Sequence, residues 1–146
     1  MKKYLGVKII RAEEMSERQF KESKGFPSTS LKDRDGYKVV YEDGYESWSP
    51  KDVFEKAYRK IDNLTFGLAI EASKQGKKVT RKGWNGKGMF LMLIHPYLND
   101  QFEVHEKDSL VGTLLPYIAM KTADNGLVPW LASQTDMLAE DWMIVE

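Results

Sequence analysis

Cysteine is absent from the 146 residues. That excludes disulfides, zinc–thiolate sites and a cysteine nucleophile. Histidine is scarce too. His95 and His105 are the only two, they lack metal-ligand spacing, and neither sits by a serine in a recognisable catalytic motif. Net charge is missing as well: 22 basic and 22 acidic side chains cancel. A general nucleic-acid or membrane-surface binder would carry a basic excess, so no DNA, RNA or membrane partner is expected. Long apolar runs are also lacking. The longest, residues 89–94, is far too short to span a bilayer, and residues 1–6 open like a signal peptide with no apolar region behind them. The cytoplasm is the expected location.

What remains is an ordinary globular composition, 42% apolar and 30% charged, enough for a core and a solvated surface. The length suits one domain or two very small ones. Residues 4–10 alternate in the period-2 manner of a first strand, and Ser16 is placed to cap a short helix running to Lys24. Residues 25–36 read as a loop. Residues 37–48 read as a hairpin about a two-residue Asp43-Gly44 turn, which pairs Val39 with Trp48 and Tyr41 with Glu46 on one aromatic face. Ser49-Pro50, with Asp52 following, predicts a capped helix to about Lys60 whose apolar side packs on the hairpin.

A boundary falls at residues 62–65. Thr65 is positioned to cap a helix that stops at Gly76. No acid occurs between Glu71 and Asp100, while Lys74, Lys77, Lys78, Arg81, Lys82 and Lys87 lie in that window. Glycines flank Trp84 and Asn85, so backbone can approach a ligand there, although the spacing matches no established phosphate-binding motif. A solvated strand edge guarded by lysines explains the same charges. Residues 89–94 are apolar on both faces and read as a central, covered strand. Residues 117–122 and 127–131 form a hairpin about Asp124-Asn125-Gly126, with Pro129 requiring an edge or bulge. Ser133 followed by Asp136 has the capping-box form ahead of a short helix, and residues 141–145 close as a strand. Trp130 filling a core and Ser133 capping a helix is one account of residues 127–136. A pocket wall beside a helix start that suits an anion is the other. The fold class is α+β: a small antiparallel sheet with short helices, preceded by a strand-helix-hairpin-helix module.

No catalytic constellation or metal cluster is evident. Asp124, Asp136, Glu140 and Asp141 offer carboxylates, but capping and turn duties already account for Asp136 and Asp124. Indoles, amides, hydroxyls and lysines are instead what recognises a planar base with phosphates. The expectation is a binding protein without a cofactor. A nucleotide-degrading enzyme, or an interaction module resting on the aromatic first part, are the alternatives.

Four stretches carry a resemblance to a known family: residues 65–69; residues 76–91, which hold Arg81, Trp84, Asn85 and Lys87; residues 116–124; and residues 128–142, which hold Trp130, Ser133, Gln134, Thr135 and Asp136. In this order they resemble the second family of phage anti-Thoeris proteins, over about residues 64–146. The resemblance implies a sponge that binds and sequesters a cyclic ADP-ribose-type signal of TIR-domain enzymes without cleaving it. It also implies action in the cytoplasm of the infected host and homotetramers with ligand at subunit interfaces, some members also taking up cyclic dinucleotides. On that basis Trp84 stacks on a base, while Asn85 and Asp136 read polar edges or ribose hydroxyls. Lys87, Arg81 or the Ser133 helix start meets the diphosphate, and Trp130, Gln134 and Thr135 complete the set. Residues 1–63 lie outside the family core and look like a small module of other phage proteins, an accessory part with no activity attached. The connection 95–115 is longer than the resemblance requires.

Overall fold

The computed structural model describes residues 1–3, 5–27, 32–84, 88–95 and 115–145. The chain divides into two compact units, Met1–Arg59 and Lys60–Glu146. Helices and antiparallel sheets are present in both, so the fold is α+β.

In the first unit a three-stranded sheet runs in the order β1 (Arg11–Glu14), β2 (Gly36–Val40), β3 (Glu46–Pro50). Ser16 caps α1 (Glu17–Ser23) in a reciprocal capping box with Gln19. The hairpin register differs from the sequence expectation by one residue: Val39 faces Ser47, and Lys38 faces Trp48. The cause is the turn. The Tyr41 amide donates to the Tyr45 carbonyl and the Gly44 amide to the Tyr41 carbonyl, with Gly44 at φ 83°. The loop is therefore three residues ending in a left-handed glycine, not a two-residue turn. A one-residue slip exchanges faces, so buried Val39 and Trp48 lie on opposite sides of the sheet. Tyr37 shares the Val39 side, where its ring stacks on Phe54 of α2 (Lys51–Ala57) at 4.2 Å. On the other side the Trp48 indole donates to the Met15 carbonyl at 2.8 Å and covers Gly36, where an added Cβ would collide with Trp48 and the Ser49 carbonyl.

Two further expectations change. Residues 5–10 form no strand, and Leu5, Val7 and Ile9 stay exposed. Pairing with β1 begins only at Arg11 opposite Val40, because β2 turns back there and leaves earlier residues no partner strand. Ser49 and Pro50 belong to β3, and Pro50, with no side-chain hydrogen bond, stands at the N-cap of α2.

The second unit is a five-stranded antiparallel sheet in the order β7-β6-β5-β4-β8: Leu127–Pro129, Tyr117–Lys121, Phe90–Ile94, Lys78–Arg81 and Trp142–Val145. Thr65 caps α3 (Phe66–Lys74), and Gly76, at φ 79°, ends it. The helix covers one face. Leu64, Ala69, Ala72, Val79, Leu91 and Trp142 are the buried core there. Pro129 sits on the edge strand, where its missing N–H costs no ladder bond. The strand Phe90–Ile94 is central as expected, with one buried residue on each face: Leu91 under α3 and Ile94 on the other side, where Phe90 and Met92 are half-buried. The chain at Leu64 bridges to Trp142, so β8 is held on both flanks.

Candidate functional site

Strand β4 delivers Arg81 to the α3 side of the sheet, opposite Trp142. Its guanidinium is shared between two carboxylates. Nε donates to Asp141 Oδ1 at 2.8 Å and Nη1 to Asp136 Oδ1 at 2.9 Å. The second oxygen of Asp141 accepts the Gly83 N–H at 3.1 Å. The second oxygen of Asp136 accepts the Ser133 N–H and hydroxyl at 3.1 and 2.6 Å, while the Asp136 N–H donates to Ser133 Oγ at 3.2 Å. This is the predicted capping box, at the start of α4 (Gln134–Met137). Hydrogen bonds from Arg81 hold the Asp141 carboxyl below its ordinary range, and the two carboxylates raise Arg81 in return. For Asp136, burial pushes upward, but hydrogen bonds from Ser133 and Arg81 outweigh it and the net shift is downward.

Beside this lattice three indoles meet edge to face. Trp142 is fully buried and its Nε1 donates to the Asp136 carbonyl at 3.0 Å. Ring centroids stand 5.5 Å apart for Trp84–Trp142, 6.1 Å for Trp130–Trp142 and 6.2 Å for Trp84–Trp130, with Phe66 packed on the last two residues of the trio. Trp84 and Trp130 remain half-buried. They pack against the core without being fully covered.

Of the residues picked out by sequence, Arg81, Trp84, Trp130, Ser133 and Asp136 are brought together. The Thr135 hydroxyl lies 2.9 Å from Ser133 Oγ, and Gln134 is the exposed first residue of α4. Asn85 and Lys87 lie outside the described residues. Arg81 is engaged by carboxylates at two of its nitrogens, and the α4 start already holds the Asp136 carboxylate, so neither presents an open anion cradle. The basic window is divided by strand parity. While Arg81 turns to the α3 side, Lys78 places its Nζ 5.0 Å from the Phe90 ring centroid on the opposite face, with Lys121 at 5.8 Å. Near them a cavity of about 550 Å³ is lined by Thr80, Lys82, Trp84, Phe90 and Met143, among others.

Sequence reasoning missed Asp141, Trp142 and Lys121 as members of this region. Asp141 stands 60 residues from Arg81 along the chain, so only the fold pairs them. Trp142 could have been found, since it is an indole in a terminal strand that needed a core. Among the described residues no group of three or more His, Cys, Asp or Glu side chains is placed to hold a metal ion, and no helix is long and apolar enough to cross a membrane.

The elements that build this region, from Leu64 to Val145, coincide with a family model. Residues 64–145 match the Thoeris anti-defense 2-like domain. The chain belongs to the Thoeris anti-defense 2-like family. An anti-defence role comes with that membership. The chain is also similar to Thoeris anti-defense 2 of Bacillus phage SP01, 44% identical over 87 residues that make up 56% of this chain and 94% of the relative. The whole Arg81–Asp136–Asp141 lattice and all three clustered indoles fall inside the family segment.

Proposed function

We propose that the second unit captures a cyclic ADP-ribose-type nucleotide by stacking its base on Trp84 and Trp130, and holds it uncleaved. The immune effector that reads the signal then stays off. The observation that carries this reading is the pair of half-buried indoles 6.2 Å apart, joined through Trp142 to the α4 start that holds Ser133, Thr135 and Asp136. Stacking on an aromatic side chain contributes about 1–3 kcal/mol per base. In this reading Asp136 and its neighbours accept hydrogen bonds from ribose hydroxyls or base edges, and Arg81 is a strut. Asn85, Lys87 and Gln134 stay candidates on sequence grounds. Action in the host cytoplasm, a homotetramer with ligand at its interfaces, uptake of cyclic dinucleotides, an accessory role for residues 1–63 and the absence of catalysis belong to the same proposal.

The test is capture and release. The protein is mixed with a set of cyclic ADP-ribose isomers, free ligand is removed, and the complex is heat-denatured. Stoichiometric recovery of one intact isomer supports the reading. A linear or hydrolysed product overturns capture without cleavage, and no retention of any isomer overturns nucleotide binding.

A further inference from the structure

We infer that Asp141 is a positioning residue for the nucleotide site: through Arg81 and the Gly83 N–H it fixes the Trp84 turn against the Trp130 side. The inference rests on the site proposed above. Asp141 pins the turn at successive residues. Its side chain takes the Gly83 N–H, and its carbonyl takes the Lys82 N–H at 3.1 Å. The turn then closes on itself where the Trp84 N–H donates to the Arg81 carbonyl at 3.2 Å. The fit is close, since a Cβ on Gly83 would stand 3.3 Å from Asp141 Oδ2.

The same dipeptide also sets the ring. Trp142, the residue after Asp141, meets the Trp84 indole at 5.5 Å. Arg81 carries the restraint onward to α4 through Asp136, with side-chain exposures of only 19% for Arg81 and 13% for Asp136. The end of β4 is thus locked by one guanidinium to the start of α4, 55 residues on, and to the start of β8, 60 residues on. A planar fork can reach both carboxylates at once. A lysine ammonium is a compact point charge without that fork. The spacing between Trp84 and Trp130 is therefore set before any ligand arrives, which lowers the ordering cost of binding.

Asp141→Asn and Arg81→Lys test this in the full chain. Asparagine keeps the shape of Asp141 and loses its charge; lysine keeps the charge of Arg81 and loses its fork. Near-UV circular dichroism of the ligand-free protein reads the edge-to-face indoles, far-UV dichroism reads the fold, and titration with the cyclic ADP-ribose isomer retained by the wild type reads the site. At metal sites, outer groups that orient the ligating side chains change affinity by about 10–100-fold when removed, and the same scale is taken for Asp141 and Arg81. The expected result is a weakened near-UV band with an unchanged far-UV spectrum in both variants, and a loss of affinity in that range. A wild-type band and affinity in Asp141→Asn overturns the inference, as does a fully wild-type Arg81→Lys, which would mean charge alone suffices. If one variant does not fold, the other carries the test. If the wild type retains no isomer, the functional reading fails instead, and the ligand-free near-UV band alone decides the positioning role.

Discussion

Replacing Trp84 by alanine perturbs two things at once, and the structure separates them. The ring sits edge to face with Trp142 at 5.5 Å and with Trp130 at 6.2 Å. Each such pair contributes about 0.5–1.5 kcal/mol beyond area burial. Covering two thirds or more of an indole removes roughly 160 Å² from water, worth about 4 kcal/mol. Because part of the void relaxes toward solvent, the net loss is expected at about 3–5 kcal/mol, a substantial share of the 5–15 kcal/mol of a typical domain. The unit from Lys60 onward should stay folded at room temperature. A bound base would lose a further 1–3 kcal/mol or so of stacking, roughly five- to over hundred-fold in affinity. Urea unfolding followed by tryptophan emission is the assay, since three of the four indoles belong to the cluster. Trp84→Phe should recover about half the stability loss. An unfolding free energy for Trp84→Ala within about 0.5 kcal/mol of wild type would refute the packing argument. Full stability with intact affinity would remove Trp84 from the site as well.

Acid should weaken this unit in a defined window. Asp136 and Asp141 both have carboxyls held below the ordinary value of about 3.9, so the stability they contribute is complete above that value and is lost as pH falls through their folded values. Urea midpoints should be level from about pH 7 to 5 and fall below about pH 4, with a shallower fall in Asp141→Asn; an identical slope in the variant would count against the lattice. In the first unit, Gly36→Ala places a methyl group against Trp48 and the Ser49 carbonyl. A cost of about 1–3 kcal/mol is expected from overpacking, measured as loss of protection of the β2 and β3 amides in hydrogen exchange; unchanged protection would show that the sheet can shift to accept the methyl.

Local rules were legible in the sequence and long-range ones were not. Ser16, Thr65 and Ser133 cap the helices expected of them because a cap is decided within four residues. Pro129 lands on an edge because its chemistry allows little else. The Val39–Ser47 register escaped because one residue of loop length separates two turns that share Asp43-Gly44. Residues 4–10 alternate like a strand, yet alternation does not reveal whether a neighbouring strand extends far enough to pair with. In the site, Trp84, Trp130, Ser133 and Asp136 could be chosen by residue type and motif. The commitment of Arg81 to two carboxylates could not, since neither aspartate is a neighbour in sequence and the basic window suggested a free cation. Strand parity then sent Lys78 to the face away from Arg81, a division that window counting blurs.

Strand order also has a consequence for how the second unit comes into being. Its sheet is completed by β8, whose residues are made after every other strand, and Trp142 within it is the hub of the core. As the ribosome moves from β4 through β7, Val79 and Leu91 emerge without the indole that covers them, and Arg81 without either of its carboxylates. Assembly must therefore wait for distant contacts, the topology that folds slowly and leaves apolar strands exposed in the interim. Until that strand closes, the second unit lacks the indole at the centre of its core and the paired carboxylates of Arg81.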